Sequence, residues 1–468
     1  MRAAWRPGLL IVAGAMTLGA ARADDDPQGE RTGGDTTVYA TGRNAFSFAL
    51  ATLSDAERQR FVIGNSFFRR NWVEAPSSTA ARDGLGPHFI ARSCGGCHLQ
   101  DGRGAPPRAG FGEPAVALLL RLSVPGTGPH GGVVPEPTYG DQFDNAAIQG
   151  VRPEGRVTIA WHPRAGHFAD GTRFTLLQPQ YGFADLGYGP MAREVMLSPR
   201  VAPQMAGAGL LDAIPEPEIL RNAADQAARP GAVKGLVNRV WDVFAGELRL
   251  GRFGWKANVA TLAHQTAGAF LGDMGITSSR FPQEACTAAQ VDCLAAPRGG
   301  KGGPEIDDAT FGQVVFYASS LAPAARRDVR AAQVLAGQRL FERARCGACH
   351  RPSYVTGPPP FPEYASDKLA GQRIWPYTDL LLHDMGPGLA DGRPDFLASG
   401  RQWKTPPLWG IGLIRDVNGH QRLLHDGRAR GVLEAILWHG GEAQAAQQQV
   451  LKMTQAERAA LVRFVESL

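Results

Sequence analysis

The chain has 468 residues, of which 20% are charged and 44% hydrophobic, and its formal net charge at pH 7 is +5. This length suffices for two or three domains, and 58 glycines with 34 prolines indicate many turns and loops. Removing residues 1–23 takes away three arginines and no acids, which lowers the charge to +2. The basic composition therefore does not indicate a nucleic-acid-binding protein, and we expect no nucleic acid as a partner.

Residues 1–23 have the pattern of an export signal. Arg2 and Arg6 form a basic start, residues 8–21 are apolar, and residues 21–23 read Ala-Arg-Ala, a small-x-small cleavage site. As a helix the apolar run reaches only about 21 Å, short of a bilayer core of about 30 Å. We therefore predict a cleaved signal peptide at 1–23 and no transmembrane segment in the remaining chain.

The first predicted helix leads to a cofactor-attachment motif. Residues 54–57 read Ser-Asp-Ala-Glu, a capping box that opens a helix with Gly64 four residues before Phe68. Residues 94–98 then read Cys-Gly-Gly-Cys-His. In this motif two thiols form thioethers to the haem vinyl groups and the histidine takes one axial position on iron. For a single copy, the alternative is a redox dithiol beside a histidine.

A segment of different character follows at about residues 116–247. Short β-like runs at 116–122, 157–161 and 172–177 are separated by Gly, Pro and Asp turns. We predict a β-rich insert that shapes access to the first haem or forms a partner surface.

The two cysteines outside the motifs, Cys286 and Cys293, lie in a Pro- and Gly-rich stretch without a nearby histidine. In an oxidising compartment such a pair predicts a local disulfide, and a redox-active thiol pair is the alternative. A helix at 308–321 follows them.

The second part of the chain repeats the arrangement. An amphipathic helix at 331–345 has Gly337 four residues before Phe341, residues 346–350 read Cys-Gly-Ala-Cys-His, and a capping box at 454–457 opens a last helix. Two such motifs among only six cysteines, behind an export signal, predict two covalently bound haems c.

These patterns predict a mainly α fold made of two cytochrome c-like helical domains. We place the N-terminal domain at residues 24–325, interrupted by the β-rich insert at about 116–247, and the C-terminal domain at 326–468. Because covalent haem attachment in bacteria takes place outside the inner membrane, the motifs and the signal agree on a periplasmic protein.

The chain also resembles the bacterial di-haem cytochrome c peroxidase superfamily, in its branch called di-haem oxidoreductases, putative peroxidases or thiol oxidoreductases. The resemblance covers nearly the whole chain after the signal. The stretches that carry it are 71–73, 82–87, 251–257, 265–270, 273–275, 382–388, 405–410, 424–428 and 436–441. The resemblance implies that peroxide meets the haem nearer the N-terminus and that the other haem exchanges electrons with a donor.

The resemblance implies roles for three residues near the first haem. In the superfamily a tryptophan lies between the haems, a glutamine stands ten residues later, and a glutamate follows beside a Met-Gly pair. Trp255 and Gln265 have that spacing, and Trp255 is the candidate electron relay, with packing between domains as the alternative. Asp273 takes the place of the glutamate, and its carboxylate would move a proton between the peroxide oxygens. A cap or turn residue is the alternative for Asp273.

The resemblance also implies which residue is the second iron ligand of the C-terminal haem. In the peroxidases a methionine fourteen residues after the histidine of a His-Asp-Gly turn ligates this iron. Fourteen residues after His425 stands His439, so the resemblance implies a haem ligated by His350 and His439. Its potential would be low, because Met/His ligation raises the potential relative to other pairs. The alternatives are Met385 as the ligand and a His439 that is only hydrogen-bonded.

At the first haem we expect an open face with His98 as the only strong protein ligand, and His264 and Met274 are the residues able to close it. Family enzymes hold calcium between the domains through backbone carbonyls of a Thr-x-Pro sequence just before the His-Asp-Gly turn. His420 and Arg422 occupy those places here, which argues against calcium.

The predicted function is a periplasmic di-haem oxidoreductase that reduces hydrogen peroxide or uses it to oxidise a substrate. Its expected partner is a small redox protein or a quinone-linked electron donor or acceptor. The alternatives are a non-catalytic electron-transfer cytochrome and an oxidase of thiols or of a partner protein. The expected haem-binding residues are Cys94, Cys97, His98, Cys346, Cys349, His350 and His439, and the expected catalytic residues are Gln265, Asp273 and Trp255.

Overall fold

The computed structural model describes residues 1, 26, 29–79, 82–107 and 115–468. The predicted export signal at 1–23 lies outside these residues except for Met1. Within the described ranges, no helix combines the length and the apolar character needed to cross a membrane.

The described residues form twelve α-helices. They are α1 (Asp55–Arg69), α2 (Cys94–Cys97), α3 (Ala208–Asp212), α4 (Glu216–Ala228), α5 (Leu262–Met274), α6 (Val291–Leu294), α7 (Asp308–Ser319), α8 (Ala332–Arg343), α9 (Ile414–Asn418), α10 (Val432–Leu437), α11 (Gln444–Leu451) and α12 (Gln455–Ser467).

The same part of the chain forms twelve strands, which pair into six two-stranded antiparallel sheets. The strands are β1 (His88–Phe89), β2 (Leu118–Ser123), β3 (Ala146–Ala147), β4 (Arg156–His167), β5 (Arg173–Ala184), β6 (Met196–Val201), β7 (Arg239–Asp242), β8 (Glu247–Leu250), β9 (Tyr354–Val355), β10 (Arg373–Ile374), β11 (Leu382–Asp384) and β12 (Gln402–Lys404). The pairs are β1 with β3, β2 with β6, β4 with β5, β7 with β8, β9 with β10 and β11 with β12.

The prediction of a mainly α fold is wrong, because the structure is 31% helical and 18% strand and is a mixed α/β fold. The sequence predicts strands only in the insert, but β1 precedes the insert and β9 to β12 all follow the second motif. Five of the twelve helices have six residues or fewer. The frequent glycines and prolines disfavour longer helices and leave much of the chain to turns and short strands.

Two helix pairs accompany the two motifs, and each pair crosses at a glycine. The predicted capping boxes are both present, at the N-termini of α1 and α12. A Cβ added at Gly64 of α1 would overlap the carbonyl oxygen of Gln313 in α7, and one at Gly337 of α8 would overlap that of Ala460 in α12. Only glycine permits these close crossings, which explains the repeated glycine before each phenylalanine.

Two large apolar clusters form the interior. One contains side chains of α1, α5 and α7, and the other contains side chains of α8, α10 and α12 together with β2 and the β4–β5 hairpin. The tip of this hairpin lies against the C-terminal helices, where the N–H of Ala169 donates to the carbonyl of Leu451 at 2.9 Å and Asp170 pairs with Arg458 at 2.9 Å. The insert therefore packs against the helices of the second motif, although it follows the first motif in sequence.

Candidate functional site

The first motif is a single helical turn, α2, that ends at its histidine. The N–H of His98 donates to the carbonyl of Cys94, and α1 packs against the turn at Gly95. Nδ1 of His98 donates to the carbonyl of Pro203 at 2.8 Å. Burial lowers the pKa of His98, which favours the neutral imidazole that ligates iron.

The second motif lines an apolar cavity of about 460 Å³. The cavity wall contains Cys346, Cys349 and His350 from the motif, and His439 and Met385 from later in the chain. The structure thus brings together His350 and both ligand candidates, which lie far apart in sequence. A cavity of this size with mostly hydrophobic walls suits a large planar cofactor.

The two imidazoles of this cavity are held in the same way. Nδ1 of His350 donates to the carbonyl of Tyr377 at 2.9 Å, and Nδ1 of His439 donates to the carbonyl of Ala435 at 2.7 Å. Such a bond fixes the tautomer and leaves Nε2 as the ligating atom. Burial lowers the pKa of His439 and lowers that of His350 to about 4, so both rings are neutral at physiological pH. The residues around the second motif therefore fit a haem.

Trp255 lines the same cavity and is connected to the first motif. Its Nε1–H donates to the carbonyl of Val201 at 2.8 Å. Two residues later, the carbonyl of Pro203 accepts the bond from His98 described above. Two hydrogen bonds and a short stretch of main chain therefore connect the Trp255 indole with the His98 imidazole.

A buried arginine, Arg103, also lies between the two motifs. Its Nε donates to the carbonyl of Arg422 at 2.7 Å and its Nη2 donates to the carbonyl of Leu424, while its guanidinium carbon lies 5.0 Å from the centre of the Trp255 ring. Sequence reasoning missed Arg103, because its partner Arg422 is 319 residues away and no local pattern points to it. The Arg422 carbonyl, one of the positions considered for calcium, accepts from this guanidinium.

Helix α5 carries both Gln265 and Asp273. Each is half-buried, and the surface between them consists of small residues. A Cβ added at Gly268 would meet no atom of the described residues within 4 Å. This face of α5 is therefore open to a flat group, as the first haem site requires.

Asp273 lies next to the first motif. Its main-chain oxygen accepts from the N–H of Ile90, shortly before the motif, and its Oδ1 accepts from Nε2 of Gln142 at 3.1 Å. The helix ends with Gly275 in the left-handed conformation, whose N–H bonds to main-chain carbonyls of α5, and the Asp273 carboxylate bonds to Gln142. Burial raises the pKa of Asp273, which favours a carboxyl group able to hold a proton.

The two residues considered for closing the first haem site have other neighbours. Nδ1 of His264 lies 3.6 Å from Oδ1 of Asp242, and the His264 ring packs against Phe281. Met274 is buried in the apolar cluster of α1, α5 and α7, on the side of α5 opposite Gln265.

Another histidine, His383, is buried beside the second motif. Its Nε2 lies 2.9 Å from Oδ2 of Asp379 and its Nδ1 lies 2.7 Å from Oε2 of Glu442. Burial disfavours its charged form, but the two carboxylates outweigh burial and raise the pKa of His383 well above its usual value. Cys349, Asp379 and His383 place ligand atoms within 4.8 Å of one another, but both ring nitrogens already bond to carboxylates, which argues against a metal ion there.

The six cysteines are in two states. Cys286 and Cys293 form a disulfide, while Cys94, Cys97, Cys346 and Cys349 do not. Burial raises the pKa of Cys94 and of Cys346 to about 12, so these thiols are not thiolates at neutral pH. A reactive redox dithiol requires a thiolate, and burial disfavours that form at both motifs.

The sequence profile of one protein family matches residues 27–127 and 189–468. Its description is di-haem oxidoreductase, putative peroxidase. The chain belongs to this family. The match confirms the resemblance found in the sequence, and the unmatched residues 128–188 contain the β4–β5 hairpin. No curated protein and no solved structure matches the chain significantly.

Proposed function

We propose that the protein is a periplasmic peroxidase with two covalently bound haems c, attached at Cys94 and Cys97 and at Cys346 and Cys349. The observation that carries the haem assignment is the pair of neutral imidazoles in one apolar cavity, each bonded through Nδ1 to a backbone carbonyl. The open face of α5 beside Asp273 is what favours peroxide chemistry over electron transfer alone. His350 and His439 would hold the iron of the second haem, and Met385 is part of the cavity wall. When bound, the haems supply one-electron storage and, at the first site, a coordination position for peroxide.

The second site receives electrons from a partner protein. The cavity of the second motif is lined at its exposed side by Arg229, Arg343 and Arg345. Arg343 is paired with Glu457 at 2.6 Å, so the positive charge of the rim comes mainly from Arg229 and Arg345. Because opposite charges steer association, this rim favours a small acidic redox protein as the electron donor.

Trp255 lies on the route for electrons between the sites. Its ring lines the second cavity, and its Nε1–H bond leads through residues 201–203 to the His98 imidazole. Arg103 holds its guanidinium over the same ring and fixes the loop that precedes His425. These contacts give the indole one position between the two haem sites.

At the first site, Asp273 moves a proton between the two oxygens of peroxide, and Gln265 orients the substrate with its amide. The raised pKa of Asp273 allows its carboxyl to accept a proton from one oxygen and return it to the other. The open face of α5 leaves room for peroxide beside these two side chains.

The test is peroxide turnover by the purified holoprotein with a reduced one-electron donor, for the wild type, His439→Ala and Met385→Ala. We expect turnover in the wild type, loss of the low-spin spectrum of the second haem in His439→Ala, and retention of that spectrum in Met385→Ala. Absence of turnover together with two low-spin irons would instead identify an electron-transfer cytochrome. Loss of the spectrum only in Met385→Ala would refute the assignment of His439.

A further inference from the structure

Two polar side chains of the insert reach helix α5 beside Asp273. Arg121 lies in β2, and Gln142 is its partner across an antiparallel bridge, so both side chains leave the insert on the same face. A Cβ added at Gly272 of α5 would lie 3.6 Å from Nε2 of Gln142 and 3.7 Å from Nη2 of Arg121. The Arg121 guanidinium therefore lies against α5 at Gly272.

Gly272 belongs to the open face of α5. It follows Gln265 by seven residues, which is about two helical turns, and Gly268 by four residues, so the three positions lie along one face of the helix. Asp273 is the next residue in the helix. The open face therefore has Gln265 near one end, and Asp273 and the Arg121 guanidinium near the other.

The Arg121 guanidinium is charged and has hydrogen-bond donors to spare. Its Nη1 donates to Oδ2 of Asp141 at 2.9 Å, and its other N–H groups have no hydrogen-bond partner among the described residues. Burial disfavours the charge, but Asp141 and the neighbouring carboxylates outweigh burial and raise the pKa of Arg121. Its remaining N–H groups are therefore available to an anion or to an oxygen on which negative charge develops.

Arg121 is also the cation that acts most strongly on Asp273. Burial raises the pKa of Asp273, the Arg121 charge opposes that rise, and Asp141 adds to it. Asp273 in turn acts on two other groups, since it adds to the effect of burial in raising the pKa of Cys94 and of Asp144. The Asp273 carboxyl is therefore within electrostatic reach of both the guanidinium and the first haem-attachment motif.

We propose that Arg121 is a third polar residue of the peroxide site, where its guanidinium stabilises negative charge on the departing peroxide oxygen. The inference rests on the proposed function. Reduction of one hydrogen peroxide breaks the O–O bond, consumes two electrons and two protons, and releases two waters. The electrons come from the one-electron donor protein through the second site, and the protons come from solvent. The departing oxygen is negative until the proton held by Asp273 reaches it, and preorganised donors aimed at such an oxygen lower the barrier.

Anion binding by the oxidised holoprotein tests the position of Arg121 without turnover. The probe is fluoride, which binds ferric iron at an open site and is followed by absorbance. We expect the Kd for fluoride to rise about tenfold in Arg121→Gln, because a charged donor to the bound anion is lost, and to rise less in Arg121→Lys, which keeps the charge.

Two controls separate this role from a structural one. Arg156→Gln makes the same change at an exposed arginine of the insert, which pairs with Asp185, and should leave fluoride binding unchanged. Asp141→Asn breaks the ion pair of Arg121 but keeps the guanidinium, so fluoride should bind at least as tightly as in the wild type. Haem content and the unfolding midpoint check the folding of each variant, and Arg121→Met replaces Arg121→Gln should the latter not fold.

Peroxide turnover supplies the second readout. We expect kcat/KM for peroxide to fall about a hundredfold in Arg121→Gln, with unchanged reduction of the second haem by the donor. Asp273 must be ionised to accept the first proton, and it loses the cation that favours its charged form. The acid limb of the pH profile should therefore move to higher pH in Arg121→Gln and stay near its wild-type position in Arg121→Lys.

The outcomes distinguish the inference from the proposed function. If Arg121→Gln binds fluoride as Arg156→Gln does, or if Asp141→Asn reproduces the losses of Arg121→Gln, Arg121 has only a structural role and the inference is overturned. An acid limb that does not move in Arg121→Gln would also contradict it. A wild type without peroxide turnover would overturn the proposed function, while the fluoride series would still report whether Arg121 reaches the first site.

Discussion

Replacing Arg103 by methionine removes the guanidinium that lies between the two motifs and keeps a side chain of similar length. The lost contacts are two hydrogen bonds from a charged donor to the carbonyls of Arg422 and Leu424, each contributing about 1.5–3 kcal/mol. The contact with the Trp255 ring adds about 1 kcal/mol. Methionine recovers part of this, because burial lowers the pKa of Arg103 to about 10 and thus opposes its charged form. We expect the free energy of unfolding to fall by about 2–4 kcal/mol.

Guanidinium unfolding of the holoprotein, followed by haem absorbance and tryptophan fluorescence, measures this loss. For a chain of this length, 1 kcal/mol corresponds to roughly 1 °C in Tm, so thermal unfolding should shift by about 2–4 °C. The matched control is Arg156→Met, because Arg156 pairs with Asp185 in solvent and should cost no more than about 0.5 kcal/mol. If Arg103→Met costs as little as Arg156→Met, Arg103 does not fix the loop before His425.

Three further changes have defined outcomes. Trp255→Phe removes the Nε1–H bond to Val201 and should slow electron transfer between the haems in flash-reduction experiments, and an unchanged rate would exclude the relay. Asp273→Asn should lower kcat for peroxide by about a hundredfold or more without changing donor oxidation at the second haem, and turnover within a few-fold of the wild type would exclude its catalytic role. His383→Gln leaves the buried carboxylate of Asp379 and the half-buried one of Glu442 without their cation and should cost about 3–5 kcal/mol. The pKa of His383 is raised in the folded protein, so the stability lost in His383→Gln should be largest below about pH 6.5 and should shrink as the pH rises through the raised pKa. A loss of stability that is the same at acid and alkaline pH would contradict the ion pair.

Local sequence patterns predicted local structure well. The capping boxes at 54–57 and 454–457 specify where α1 and α12 begin, because each satisfies backbone N–H groups within four residues. The helix expected at 331–345 is α8, Ala332–Arg343, in which Val334, Leu340 and Phe341 are buried and Leu335 is half-buried. The strand run predicted at 157–161 lies within β4, and the run predicted at 172–177 overlaps β5 from residue 173 on, although both strands are longer.

The features that the sequence did not reveal depend on contacts between distant segments. The bond from Arg103 to Arg422 joins residues 319 positions apart, and no periodicity or motif encodes it. The buried polar side chains around Asp273 come from β1, the insert and α5, and they look like ordinary polar residues in sequence. The fold class failed for a related reason, since the short strand pairs β9–β10 and β11–β12 form between segments with too few residues to show alternation.

The most direct test of the two-haem proposal is a pyridine haemochrome count combined with low-temperature electron paramagnetic resonance of the oxidised protein. The proposal predicts two covalently bound haems per chain, one giving the low-spin signal of two imidazole ligands and the other a high-spin signal that changes when peroxide or cyanide is added. Fewer than two haems per chain would contradict it. Two low-spin haems that bind neither ligand would contradict the peroxidase reaction while leaving the cofactors in place.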